Sequence, residues 1–231
     1  MSIILEYLIY FAIIIFIAYT IYIIIPLIIK YYLKRRFNYK ISKSDYAYLT
    51  FDDGPDPQTT IEVLNMLKEY NINATFFLTG KNAVKYSSVV NKILEMGHTI
   101  GEHSYEHTHA WHTGPLKTAK DLLRGKKIIE KYLVGKGKVL FRPPFGKMNF
   151  VTVLYVLIYQ RKVSFWSIDA KDYLQKNKEE ISSYILSGLK PGKVILLHDK
   201  NPNDSEMIGA LKLILEYIKT SNMKFASLSD I

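Results

Sequence analysis

Residues 46–57 read Tyr-Ala-Tyr-Leu-Thr-Phe-Asp-Asp-Gly-Pro-Asp-Pro. The aromatic and aliphatic run through Phe51 has the makeup of a buried strand, and the Gly-Pro pair stops it in a turn. Between them stands an acidic doublet, Asp52 and Asp53. A strand that delivers carboxylates at its carboxyl end is the arrangement in which barrel and open-sheet α/β enzymes carry their chemistry.

The pattern recurs. Further apolar or β-branched runs lie at 74–79, 98–102, 139–141, 163–166, 194–197 and 224–227. Helical periodicities separate most of them, for example Ile61, Leu64 and Leu67, entered through Thr59 and Thr60 as cap candidates, and Met207, Ala210, Leu211, Ile214 and Ile218. Seven strands alternating with helices predict a parallel α/β sheet, closed or open. The runs are followed by His103 and His107, by Arg142-Pro143-Pro144, by Asp169 and Asp172, and by His198-Asp199. With the acidic doublet, five of the seven strands present ionisable groups at their carboxyl ends.

His103 and His107 are spaced i, i+4, which on a helical turn would aim both imidazoles the same way, a spacing suited to a divalent metal. A carboxylate would complete a three-ligand site, and Asp52 and Asp53 are the nearest candidates. Neighbouring side chains on extended backbone point to opposite sides, so one is expected to bind metal and the other to act as a base. His98, His109 and His112 read as structural, and Trp111 and Trp166 as packing residues ahead of ligand-stacking ones.

Ahead of this domain, the stretch from Tyr7 to Ile29 carries no charge. As a helix it is about 34 Å long, enough to cross a bilayer. A transmembrane helix is therefore expected over 3–29, a basic juxtamembrane connector over 30–44 and the catalytic domain over 45–231. The amino terminus lacks the basic region and small-residue cleavage site of a signal peptide. Lys30, Lys34, Arg35, Arg36, Lys40 and Lys43 follow the span, which by the positive-inside rule puts the domain in the cytoplasm.

The chain of 231 residues has 48% hydrophobic content, mean hydropathy +0.01 and no cysteine. Disulfides, thiolate metal sites and cysteine nucleophiles are excluded. The net charge of +10 favours anionic partners. The bases are scattered and form no nucleic-acid motif, so no nucleic-acid partner is expected, and no protein partner is inferred.

Five ordered segments, Thr50-Phe-Asp-Asp-Gly-Pro55, His103-x3-His107, Arg142-Pro-Pro144, Asp169-x2-Asp172 and Leu196-Leu-His-Asp199, resemble the motifs of NodB-homology polysaccharide deacetylases, carbohydrate esterase family four. The resemblance covers roughly residues 46–228. It implies a distorted (β/α) barrel of about seven parallel strands and removal of acetyl groups from N-acetylated sugars such as chitin and peptidoglycan. It assigns Asp53, His103 and His107 to one divalent metal, Zn or else Co, Ni, Mn or Fe. Asp52 becomes the general base, His198 the general acid, Arg142 the residue orienting the base and Asp172 the partner of His198. The Phe145 backbone N–H would stabilise the oxyanion, Leu196 would line the acetyl pocket, and Pro144 and Tyr173 would border the sugar. The family often has Tyr where Phe145 stands and Trp where Tyr173 stands. Against the basic cluster, the resemblance places the catalytic domain outside the cytoplasm. Two other readings remain: deacetylation or deformylation of a lipid-linked sugar at the membrane surface, and an inactive carbohydrate-binding module, which the intact base, ligands and acid oppose.

Overall fold

Strands β1 (Tyr46–Asp52), β2 (Thr75–Leu78), β3 (Thr99–Glu102), β4 (Leu140–Phe141), β5 (Lys162–Val163), β6 (Ile168–Asp169) and β7 (Val194–His198) pair in the order β5-β4-β3-β2-β1-β7-β6. All the pairings are parallel, and a short β8 (Lys224–Phe225) adds to the start of β1. The computed structural model describes residues 3–135, 138–174, 176–200 and 203–230. The seven strands curl into a half-barrel with β5 and β6 as its edges, in agreement with the expected distorted barrel.

One strand was not foreseen. Of the run expected as a single strand at 163–166 only Val163 lies in a strand, at the end of β5, and β6 begins beyond the run at Ile168. The Ser164 N–H donates to the Phe141 carbonyl, whereas the Ser167 N–H donates to the Val194 carbonyl. In four residues the chain crosses from the β4 side to the β7 side and so spans the open side of the barrel.

Helices α1 (Ile3–Tyr19) and α2 (Ile25–Ile41) join through one π-helical turn, Thr20–Ile24. Proline supplies no N–H, and its ring crowds the carbonyl four residues back. The wider turn just before Pro26, in which the Ile25 N–H reaches the Thr20 carbonyl, accommodates it. The resulting helix, Ile3–Ile41, is long and apolar enough to cross a membrane. The segment expected as a polar connector is therefore helical as far as Ile41. The α2 residues Ile29, Leu33 and Phe37, at helical spacing, pack on Phe141, Met148, Val153 and Phe165, and Ile41 is buried with Tyr48, Val194 and Leu228. Charge dominated the sequence reading of this stretch and hid the apolar stripe.

The remaining helices are α3 (Thr59–Glu69), α4 (Gly80–Lys85), α5 (Ser87–Glu95), α6 (Pro115–Ile129), α7 (Phe150–Ile158), α8 (Lys178–Gly188) and α9 (Asp204–Thr220). α3, α5, α8 and α9 cover the outer face of the central strands, where Leu49, Phe51, Phe76, Ile195 and Leu197 meet Leu64, Ile93, Ile185 and Leu211. The helical stripes read at α3 and α9 are the buried ones. The start of α3 is held by Asp56, whose Oδ1 accepts from the Gln58 and Thr59 N–H groups, rather than by a threonine cap.

Candidate active site and metal centre

Asp52 ends β1, and Asp53 follows in the left-handed region at φ 74, which a short acidic side chain tolerates better than most. The backbone reversal aims the two carboxylates at different principal partners, although Asp52 Oδ2 also lies 3.6 Å from His103 Nε2. Asp52 Oδ1 accepts from Arg142 Nη1 at 2.7 Å. Asp53 Oδ1 lies 3.5 Å from His103 Nε2 and 3.2 Å from His107 Nε2.

The two histidines stand on a loop after β3, not on a helical turn. Ser104 and His107 both have positive φ, 61 and 58, and these bends do what the helical spacing was expected to do. Helix α6 pins the loop. Asp121 Oδ1 accepts from the Glu106 N–H, and Oδ2 accepts from the Thr108 hydroxyl. Gly125 permits the close approach, because a Cβ there would lie 2.6 Å from the Ser104 carbonyl carbon.

The donor atoms of Asp53, His103 and His107 all lie within 4.8 Å of one another. Two observations fit this trio to a metal. Asp53 Oδ1 is buried with no hydrogen-bond partner, an arrangement that costs free energy unless a cation is close. His103 Nδ1 donates to the Arg142 carbonyl at 2.6 Å, which leaves the Nε2 lone pair facing Asp53. Burial is the main cause that pushes the His103 pKa down to about 3, so the ring is neutral at pH 7, as a ligand must be.

Behind the carboxylates, Arg142 is wholly buried. Besides Asp52, its Nη1 reaches the Thr50 hydroxyl at 2.8 Å, and Nη2 reaches Ser164 Oγ at 3.2 Å and the Phe165 carbonyl at 3.3 Å. Burial raises the Asp52 pKa against the pull of Arg142. On the opposite wall, His198 Nδ1 is 2.8 Å from Asp172 Oδ1, and Asp172 Oδ2 accepts the His198 N–H at 2.7 Å. Burial acts to lower the His198 pKa, but Asp172, with Asp52 and Asp53, outweighs it and lifts the value to about 9. This imidazole holds its proton at neutral pH.

A cleft of about 370 Å³ joins the two halves. Of the residues expected there, Asp52, Asp53, His103, His107, Phe145, Tyr173, Leu196 and His198 line it. Arg142 and Asp172 stand behind it as supports. Pro144, expected to border the sugar, is not among the lining residues and is buried in the turn Pro144–Gly146 that presents Phe145. Phe145 has φ 55, and its ring packs on His107 and His109 at 4.4 and 4.9 Å between centroids. The N–H groups of Gly146 and Lys147 are engaged by the Pro143 and Pro144 carbonyls. The Tyr173 ring stands edge-on to His198 at 5.4 Å.

Sequence reasoning named Asp169 at a strand end without giving it a role, passed over Lys200 and Asn82, and placed Trp166 in the packing. Trp166, Asp169 and Lys200 line the cleft. Asn82 Nδ2 donates to the Asp53 carbonyl at 2.7 Å, while Asn82 Oδ1 accepts from Lys200. His98 is structural as expected. Its Nδ1 accepts the Ala74 N–H, and burial lowers its pKa to about 4.

Comparison with known proteins agrees with this geometry. The polysaccharide deacetylase family model matches residues 40–159. The peptidoglycan-N-acetylglucosamine deacetylase of Bacillus cereus is 36% identical over 186 residues, covering 79% of this chain and 86% of that protein. The chitooligosaccharide deacetylase of Azorhizobium caulinodans is 36% identical over 160 residues, covering 68% and 75% respectively. The crystal structure of the peptidoglycan N-acetylglucosamine deacetylase Bc1960, in complex with 4-naphthalen-1-yl-N-oxidanyl-benzamide, matches with a TM-score of 0.75 at 30% identity, over 82% of this chain and 88% of that one. A family match over more than half of the chain and a shared half-barrel together establish that this chain belongs to the polysaccharide deacetylase family, carbohydrate esterase family four.

Proposed function

We propose that the chain is a membrane-anchored, metal-dependent hydrolase that removes N-acetyl groups from amino sugars of a cell-wall glycan. The observation that carries this reading is the opposition, across one cleft, of the Asp53, His103 and His107 trio with Asp52 beside it to a His198 held protonated by Asp172. The names of the relatives from Bacillus and Azorhizobium favour peptidoglycan or chitooligosaccharides as the class of glycan.

A divalent metal held by Asp53, His103 and His107 would polarise the acetyl carbonyl and make a water more acidic. Two nitrogens and one carboxylate oxygen suit zinc, and also cobalt, nickel, manganese and iron(II). Asp52, held by Arg142, takes a proton from the attacking water. The Phe145 N–H donates to the developing oxyanion. Leu196 and Trp166 supply the apolar wall for the acetyl methyl, and Tyr173 borders the sugar. His198 gives its proton to the departing amine, and Asp172 keeps it charged until then. The products are acetate and a free amino sugar.

The anchor is α1 with the π-helical turn. Its continuity with α2, whose residues pack into the domain, supports a retained helix rather than a removed leader. We place the domain outside the cytoplasm, on the side of wall glycan, against the rule that the basic residues of α2 would follow. The full-length protein in detergent, stripped of metal and reloaded with zinc or cobalt, is expected to release acetate from N-acetylated chitooligosaccharide or peptidoglycan fragments. Bound metal with no release from any acetylated glycan contradicts the reading.

A further inference from the structure

The helix Ile3–Ile41 runs the height of the barrel and leaves it at the catalytic end. Ile41 sits at the foot, where its carbonyl lies against Gly192 and its side chain clusters with Val194, the first residue of β7. Leu33 and Phe37 pack at mid-height, against the group that includes Phe141 and Phe165. Tyr22 reaches the rim. Its hydroxyl donates to the Thr113 carbonyl at 2.9 Å and accepts from Asn149 Nδ2 at 2.7 Å. Thr113 belongs to the loop that begins with His103 and His107, and Asn149 follows the turn that presents Phe145. α1, exposed along its whole length, therefore continues outward past the carboxyl ends of the strands, the end at which the cleft opens.

Length sets the depth. α1 and the π-helical turn together give about 30 Å of apolar helix, the thickness of a bilayer hydrocarbon core. The lipid surface then lies at the level of Tyr22, and so at the rim of the site. The rim is built for that position. Leu116, 86% exposed, stands just beyond Thr113, and Phe150 is exposed next to Asn149. Trp111 donates its indole N–H to the Met148 carbonyl, with Lys147 over its ring. Tryptophan, tyrosine and lysine are the side chains favoured at a membrane interface.

We infer that the catalytic mouth faces the bilayer into which α1 inserts, and that its substrate is an N-acetylated amino sugar carried on a lipid of the same leaflet. The substrate half of this inference rests on the deacetylase reading. A sugar held in the plane of the membrane meets a tethered mouth at high effective concentration, whereas a polymer lying above the domain has to enter the gap beneath it.

The chain contains no cysteine, so Leu116→Cys at the rim and Lys190→Cys at the foot of the barrel each create a sole labelling site. With the full chain in phosphatidylglycerol/phosphatidylethanolamine vesicles that carry a headgroup nitroxide, a fluorophore at position 116 is expected to be quenched and one at 190 not. Equal quenching, or quenching at 190 alone, overturns the orientation. In the same vesicles with zinc, polyprenyl-pyrophosphate-linked N-acetylglucosamine is expected to be deacetylated at least ten times faster than chitotetraose at equal bulk concentration. Chitotetraose turned over as fast or faster overturns the substrate inference and leaves the deacetylase reading standing. Release from neither, with metal bound, removes both.

Discussion

On the proposed mechanism, His198 and Asp172 are expected to set the alkaline limit of the reaction. The His198 pKa, raised to about 9, keeps the ring protonated below that pH and lets it lose its proton above. Activity that needs this proton as an acid is expected to fall as pH rises past about 9. Asp172→Asn removes the chief partner of the imidazolium, so the limb in a kcat/KM profile should move to lower pH, with kcat down by about 10²-fold. An unmoved limb contradicts the role of Asp172. Asp53→Ala should leave less than stoichiometric zinc by elemental analysis, because one anionic ligand of three is lost. Arg142→Met strands Asp52 as an unpaired buried carboxylate, and a denaturant titration should register a loss of about 3–5 kcal/mol. The residues to which we assign these roles stand out in the sequence because each is an ionisable group at a strand end. Their supports do not. Thr50, Ser164, Asn82 and Asp121 are common polar residues within ordinary segments, and only the tertiary fold brings them to Arg142, Asp53 and the histidine loop. Separate duties for Asp52 and Asp53 were expected from extended backbone, whereas in the structure it is the left-handed turn at Asp53 that aims the two carboxylates at different principal partners.

At the scale of elements, every strand but β6 coincides with or touches a run that stands out in the sequence, including the two-residue strands β4, β5 and β8. β1, β2 and β7 carry enough consecutive apolar residues to stand out, whereas β6 is only Ile168 and Asp169 and has no pattern of its own. It exists because the chain crosses the barrel opening and meets β7. The helix α2 went unread for a different reason. Its apolar residues Ile29, Leu33 and Phe37 are spaced for one face, but the bases between them lowered its apparent hydrophobicity. That face packs against the barrel at its open side, with the Phe37 ring edge-on to Phe165 at 6.1 Å. Phe37→Ala is expected to cost about 2–3 kcal/mol, below the full core range because Phe37 is only partly buried. Differential scanning calorimetry should then show Tm lower by roughly 5–10 °C. A chain begun at residue 38 should be less stable than one begun at Tyr22, and equal melting of the two would contradict the packing role assigned to this helix.

For the whole molecule, one continuous helix joins a candidate membrane span to the foot, wall and rim of the half-barrel that carries the candidate active site. That geometry ties topology to chemistry, since whichever side of the membrane holds the domain also holds the cleft. A reporter fused after the last residue, scored on both faces of the membrane in cells, is expected to place the domain outside the cytoplasm, where wall glycan lies. The basic residues of α2 argue the other way, and their placement within the folded domain explains how they can serve its surface as well as its topology. The metal-centred hydrolysis itself is tested most directly by measuring bound zinc and released acetate together, on the full-length protein and on Asp52→Asn, with N-acetylated chitooligosaccharide. The prediction is one zinc per chain in both proteins, with acetate release in the Asp52→Asn variant lower by about 10²-fold or more. Equal acetate release from the two proteins at equal zinc content would contradict it.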